Sequence, residues 1–190
     1  MTSDLHMGHD REFIWKVRGY DSVQAMNLAQ VQKWNETVED EDDVYVLGDL
    51  MLGDPCNIEF IKQLKGRIHI VLGNHDTSNR EKMYRELSNV VQIAEVGIRL
   101  KYKKYHFIMT HYPMLTGNLD DDGKGLKGRT INLCGHSHTI DKYQDMNKSI
   151  IYHCEYDAHN GYPILIDNII QDLQNWVKIN ILSTQTFKEV

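Results

Sequence analysis

Cysteine is scarce in this 190-residue chain: Cys56, Cys134 and Cys154 are an odd number at wide spacing. That usage fits a reducing cytoplasm better than a disulfide framework. No apolar run approaches the roughly 20 residues a helix needs to span a bilayer, so no membrane association is expected. Residues 1–11 lack a basic stretch followed by an apolar core, which excludes a secretory signal, and a cytoplasmic location is expected. Internal repeats, low-complexity tracts and linkers are also missing, so residues 1–190 are expected to form a single domain. Positive charge is not in excess either: 21 Lys and Arg stand against 27 Asp and Glu, a net charge of −6 with histidine neutral. Proteins that grip long nucleic acid through its backbone usually show a basic face. Here only two small clusters stand out, Lys101, Lys103 and Lys104, and Lys124, Lys127 and Arg129.

What is present is a regular alternation of elements. Asp21-Ser22-Val23-Gln24 opens a helix with a side-chain oxygen at the cap and Gln24 near its third position, and Val23, Met26, Val31, Trp34 and Val38 recur close to helical spacing. An acidic run at 39–43 ends that helix and leads into a buried strand at 44–47. A helix near 58–64, a strand at 68–72 and a helix near 79–87 follow. Strands are then expected at 90–93, 97–102 and 105–109, the last two as a hairpin. Residues 117–128 are rich in Gly and Asp and read as a loop. Strands at 130–134 and 149–153 and a helix near 167–176 complete the pattern. Strand and helix alternate first and strands dominate later, which points to an α/β layered fold.

The chemically active residues stand where these strands stop. Asp4 and His6 lie in Ser-Asp-Leu-His, and Asp49 follows Val-Tyr-Val-Leu-Gly. Asn74, His75 and Asp76 follow Ile-Val-Leu-Gly, His111 follows Phe-Ile-Met-Thr, and His136 and His138 follow Asn-Leu-Cys-Gly. Loops at the carboxyl ends of strands converge in open α/β sheets, so these groups can meet at one point. Glycine before Asp49, Asn74 and His136 is expected to let the chain turn sharply there. Five of the ten histidines fall in these loops, which chance scatter rarely achieves. Asp-x-His and Gly-Asp are ordinary turn signals when taken singly. Gly-Asn-His-Asp is more specific. Gly-His-x-His is too, because alternate residues of an extended segment face the same side.

The ordered set Asp4-Leu5-His6, Gly48-Asp49, Gly73-Asn74-His75-Asp76, His111 and Gly135-His136-Ser137-His138 resembles the calcineurin-like metallophosphoesterase family. The opening Ser-Asp-x-His-x-Gly-His (Ser3 to His9) and Tyr162-Pro163 after Asp157 are most similar to small bacterial and phage members. The resemblance implies an α/β/β/α sandwich of two mixed sheets flanked by helices. It implies that Asp4, His6 and His138 bind one metal, that Asn74, His111 and His136 bind a second, and that Asp49 bridges both. His75 is then the catalytic histidine, stabilising the phosphate and protonating the leaving oxygen, with Asp76 orienting its ring. Mixed oxygen and imidazole ligands suit two transition-metal ions, Mn, Fe, Zn or Ni, rather than all-oxygen Mg²⁺ or Ca²⁺ sites. The reaction implied is hydroxide attack on a phosphate ester held between the two ions, in line with the leaving group.

Only Met1-Thr2-Ser3 precede the first motif, so the strand leading to Asp4 is expected to be short. His9, Arg11, Arg80 and Arg129 are candidate substrate contacts, since Arg suits bidentate phosphate binding. Lys124 and Lys127 are expected to join Arg129 in a loop overhanging the pocket. His153, His159 and Asn160 are secondary candidates for its lining, while His69, His106 and Cys134 read as structural. A small phosphodiester is the expected substrate, and a phosphomonoester or short nucleic acid is the alternative. A non-catalytic scaffold of the same fold is the reading from another class, and it would normally have lost ligands that are all present here. Composition does not fix the oligomeric state.

Overall fold

The structure, a computed structural model, describes residues 1–117, 125–144 and 149–186. Its smaller sheet has three parallel strands in the order β1-β2-β3: β1 (Asp43–Val46), β2 (Arg67–Val71) and β3 (Val90–Ala94). The larger has the order β4-β5-β6-β8-β7, formed by β4 (Gly97–Tyr102), β5 (Tyr105–Thr110), β6 (Thr130–Cys134), β7 (Tyr143–Gln144) and β8 (Ile150–His153). Mixed pairing is confined to this larger sheet, where β5, β6 and β8 run parallel and both edge strands antiparallel. The helices are α1 (Glu12–Trp15), α2 (Val23–Thr37), α3 (Ile58–Ile61), α4 (Ser78–Arg85) and α5 (Ile166–Thr186). No helix among the described residues is long and apolar enough to cross a membrane.

The pleat of β1 and β2 divides their side chains between two cores. Val44, Val46, Ile68 and Ile70 pack with Trp34 of α2, Ile61 of α3 and Tyr84 of α4. Leu47 and Val71 pack with Phe107, Met109, Ile131, Leu133 and Tyr152 of the larger sheet and with Ile169 and Leu173 of α5. The expected hairpin forms with Lys103 and Lys104 both at positive φ, a conformation that residues other than glycine rarely adopt.

Two findings differ from the sequence pattern. The buried face of α2 is not purely apolar: Asn27 and Gln30 are buried beside Met26 and Trp34. Asn27 Oδ1 accepts from Gly8 N at 2.9 Å and Gln30 Nε2 donates to the Leu5 carbonyl at 2.6 Å, so α2 clamps the first motif. The segment before Asp4 is too short for a strand, yet it is hydrogen-bonded on both sides. Thr2 N donates to Tyr45 O and Leu47 N to Thr2 O, while Tyr156 N donates to Ser3 O. It thereby joins β1 to the segment after β8, with Thr2, Ser3 and Asp4 all buried.

Candidate metal centre

Every motif but the first leaves the carboxyl end of a strand, and backbone hydrogen bonds tie the resulting loops together. Asp4 N donates to Gly48 O, His6 N to Asp49 O, and Gly135 N to His111 O. Asp4, His6, Asp49, His136 and His138 all take positive φ, five of the eight such non-glycine residues described. Left-handed backbone at these residue types is strained by about 1–3 kcal/mol each, and it persists only where surrounding structure over-determines it. The five strained positions all turn side chains toward one point. Local strain here therefore serves the site rather than the sheets.

The preceding glycines act in two ways. Gly48 does adopt positive φ, as a sharp turn requires. Gly73 and Gly135 do not. There a Cβ would overlap the Asp49 carboxylate in the first case, and Ser3 Oγ and Asp4 Oδ2 in the second. Gly135→Ala is accordingly expected to destabilise the fold by at least about 2 kcal/mol through overpacking. Chemical denaturation at neutral pH measures this, and an unchanged midpoint would show that the contact is relieved at no cost.

The donor atoms gather in two groups close enough to share an ion: Asp4 with His6 and His138, and Asp4 with Asp49 and His111. Asp49 Oδ2 lies 3.6 Å from Nε2 of both His6 and His111, so one carboxylate oxygen is shared between the two imidazoles. Asp4 Oδ1 lies 3.8 Å from Nε2 of His6 and of His138. On the other side, Asn74 Oδ1 is 2.8 Å from His111 Nε2 and 2.9 Å from His136 Nδ1, and the two ring nitrogens are 3.2 Å apart. His111 Nδ1 donates to the Leu47 carbonyl at 2.9 Å, so in the neutral ring Nε2 presents a lone pair. That lone pair faces the Asn74 carbonyl oxygen, so two acceptors oppose one another. A cation resolves that conflict, and so it does for Asp4 Oδ1 and His6 Nε2, which are buried with no hydrogen-bond partner. The residues present fit the metal chemistry that the sequence implies.

Electrostatics prepare the same donors. Burial alone would raise the Asp4 carboxyl, but the His6 ring, the Ser3 hydroxyl and the His136 N–H outweigh it, so the group sits below its ordinary range. Burial pushes His6 below the usual imidazole range, favouring the neutral ring that binds metal. His9 is lowered to about 4, first by burial and then by His6, His75 and nearby arginines.

His75 stands at the mouth of this cluster with its ring exposed, 5.4 Å centroid to centroid from His6. Its backbone is fixed at both ends: N donates to Asp49 Oδ1 at 2.8 Å, and O accepts from Arg80 Nη1 at 2.6 Å. Asp76 does not orient that ring. Its Oδ2 accepts from Asp49 N at 2.8 Å and Gly73 N at 2.9 Å, and its Oδ1 accepts from Tyr84 OH at 2.8 Å. Both oxygens therefore bind the strand-end loops and α4, and Asp76 shapes the backbone that carries Asp49. Arg80 lies beside the backbone of His75, and Arg11 is exposed at the start of α1.

Arg129 is a correction. It immediately precedes β6, whereas His136 follows the other end of that strand, so five residues of extended chain separate it from the site. Lys127 likewise lies over the Tyr105 ring at the start of β5, 5.5 Å from its centroid. Lys124 falls outside the described residues. His153 is buried between Glu155 and Gln144, and His159 donates to the His153 carbonyl, so neither lines the pocket, whereas Asn160 does. His69 stacks on Tyr45 and bridges Gln92 and Asp43, a structural role as expected.

Three residues important to the site escaped the motif reading. Buried Glu155 accepts from Ser137 N at 2.8 Å and Thr139 N at 2.6 Å, fixing the Gly-His-x-His loop. Asp157 Oδ2 lies 3.3 Å from His138 Nδ1, the carboxylate–imidazole pairing that aims the other ring nitrogen at a metal. Arg18 donates to both Asp157 oxygens at 2.8 and 2.9 Å and to the Asp4 and Leu5 carbonyls at 2.8 and 2.9 Å. Burial would raise the Asp157 carboxyl, but His138 and Arg18 together draw it down to about 2. Both carboxylates follow β8 as the other motifs follow their strands, so the strand-end rule applied to Ile-Ile-Tyr-His would have found them.

Arg18→Met is expected to cost about 3 kcal/mol, because it leaves the Asp157 carboxylate with His138 alone and takes a donor from each of the Asp4 and Leu5 carbonyls. Adding Asp157→Asn should recover part of the loss in a double-mutant cycle followed by thermal unfolding. Additive losses would show that the pair is not coupled.

A family model described as the calcineurin-like phosphoesterase superfamily domain matches residues 1–153. The chain belongs to the calcineurin-like phosphoesterase superfamily. Members are hydrolytic phosphoesterases and typically bind divalent metals. A Methanocaldococcus jannaschii protein described as uncharacterised is 28% identical over 177 residues, covering 90% of this chain and 88% of its own length. The gene 66 protein of Mycobacterium phage L5 is 27% identical over 165 residues, covering 73% and 76%. A solved structure of a protein of unknown function from Aquifex aeolicus shares the fold at a TM-score of 0.61 and 17% identity, over 90% of this chain and 96% of that one.

Proposed function

We propose that this chain hydrolyses a phosphate ester, preferentially a small phosphodiester, with two transition-metal ions held on either side of Asp49. The observation that carries the reading is the convergence of carboxylate and imidazole atoms about Asp49 Oδ2, with Asp4 Oδ1 and His6 Nε2 buried without a hydrogen-bond partner and an exposed imidazole, His75, beside them. Asp4, His6, Asp49 and His138 would hold one ion, and Asp49, Asn74, His111 and His136 the other. When bound, the pair neutralises phosphate charge and supplies a water of lowered pKa.

The remaining chemistry belongs to the side chains. His75, anchored through its backbone to Asp49 and Arg80, has a free ring to donate a proton to the departing oxygen. Leu47 O and Asp157 hold His111 and His138 in the orientations that present Nε2 inward. His9, neutral at physiological pH, can contact substrate without repelling a cation. A small phosphorylated molecule fits the open pocket and the net charge of −6 better than a long nucleic acid does.

The test is reconstitution of chelator-stripped protein with Mn²⁺, Fe²⁺, Zn²⁺ or Ni²⁺, followed by assay on bis(4-nitrophenyl) phosphate and 4-nitrophenyl phosphate. Metal-dependent turnover with a higher kcat/KM for the diester is expected. Turnover of the monoester alone would move the assignment to a phosphatase. No turnover of either ester by any reconstituted form would contradict it.

A further inference from the structure

Beside His138 lies a cavity of about 680 Å³, lined in part by His6, His75 and His138. Sites that enclose whole small molecules span roughly 300–1,000 Å³, so the space exceeds what a phosphate group alone requires. Phe13, Val17 and Ile140 also line it while remaining 67%, 82% and 80% exposed. Large apolar side chains that flank a polar site and face water favour an apolar occupant.

Two charged groups of the cavity, Arg18 and Asp157, are engaged with one another. Arg18 binds Asp157 and two carbonyls, and Asp157 also binds His138. Lys33 Nζ donates to Asn160 O at 2.7 Å and sits 5.3–5.9 Å over the rings of Tyr20, Tyr156 and Tyr162. A second anion entering here would meet an Arg18 already saturated by Asp157 and two carbonyls, which leaves the Lys33 ammonium, held over the tyrosine rings, to receive it. The rings also form a continuous path. His9 lies 5.4 Å from His6, and Phe13 stands edge-on to His9 at 5.8 Å and 85°, leading from the donor cluster to the first of the exposed apolar side chains.

Resting on the hydrolytic reading above, we propose that this cavity receives the organic group of the ester, and that Phe13, Val17 and Ile140 select a planar aromatic or similarly apolar group. The site thereby discriminates among esters by their substituent.

The test titrates phenylphosphonate, methylphosphonate and phosphonoacetate into metal-reconstituted protein by calorimetry, alongside turnover of the aryl diester. Phenylphosphonate should bind about 10-fold or more tightly than methylphosphonate, the scale of selectivity a hydrophobic pocket delivers. In the Phe13→Ser/Ile140→Ser variant, whose altered side chains are exposed, that ratio should fall toward one. A wild-type ratio near one, a ratio unchanged in the variant, tighter binding of phosphonoacetate, or no phosphonate binding at all would overturn the proposal. The two readings fail separately. Hydrolysis without phenyl preference removes only the apolar subsite, and phenyl preference without hydrolysis of any ester removes only the catalytic assignment.

Discussion

Asp49→Asn is expected to reduce bound metal below two equivalents and to abolish most turnover. The substitution keeps the shape of the side chain but removes the negative charge placed 3.6 Å from both His6 Nε2 and His111 Nε2. Two cations only a few ångströms apart repel one another, and the shared carboxylate is the group that offsets this. Losing an outer hydrogen-bond partner of a metal ligand typically costs about 10–100-fold in affinity or activity, so loss of the bridge itself should exceed that. The metal-free variant should fold normally, because an amide oxygen still accepts from the His75 N–H. Elemental analysis after gel filtration, with kinetics on the same sample, checks both parts. Two tightly retained ions with unaltered turnover would remove Asp49 from the bridging position.

His75→Ala is expected to do the opposite: retain both metals and the fold, and lose catalysis. The ring of His75 is exposed and makes no hydrogen bond among the described residues, so its removal leaves packing intact. General acid catalysis contributes about 10²–10⁴-fold, and the loss should fall in that range for an alkyl leaving group. It should shrink for a nitrophenolate, which departs with little need of a proton. An equal loss on both esters would instead assign His75 to stabilising charge on the phosphate. Loss of metal, or full activity on both esters, would show that it has neither role. Because Asp76 is bound to Gly73, Asp49 and Tyr84, Asp76→Asn should act through the Asp49 loop, lowering stability and metal retention together.

The order of strands along the chain and the loops at their ends were readable because every motif but the first is contiguous with the apolar run that precedes it. β6 is expected and observed at the same residues, Thr130 to Cys134, with the histidines directly after it. What escaped depends on distant partners or on the path between neighbours. Asp76 adjoins His75 in sequence, but the turn sends its carboxylate back to two backbone N–H groups and Tyr84. Arg129 is seven residues from His136, yet an extended strand between them places the two at opposite ends. Asn27 and Gln30 look like interruptions of an apolar stripe, and their purpose shows only once Leu5 and Gly8 lie against α2. Arg18 carries no local signal, since its four acceptors belong to residues 4, 5 and 157.

The central claim is that two cations share Asp49. Anomalous diffraction at the manganese edge from crystals of the Mn²⁺-reconstituted protein tests it most directly. The account predicts two peaks about 3.5–4 Å apart, the spacing of two-metal hydrolytic sites, on either side of Asp49 Oδ2. One should lie within reach of Asp4, His6 and His138, and the other within reach of Asn74, His111 and His136. A single peak, or two peaks that do not share the Asp49 carboxylate, would contradict it.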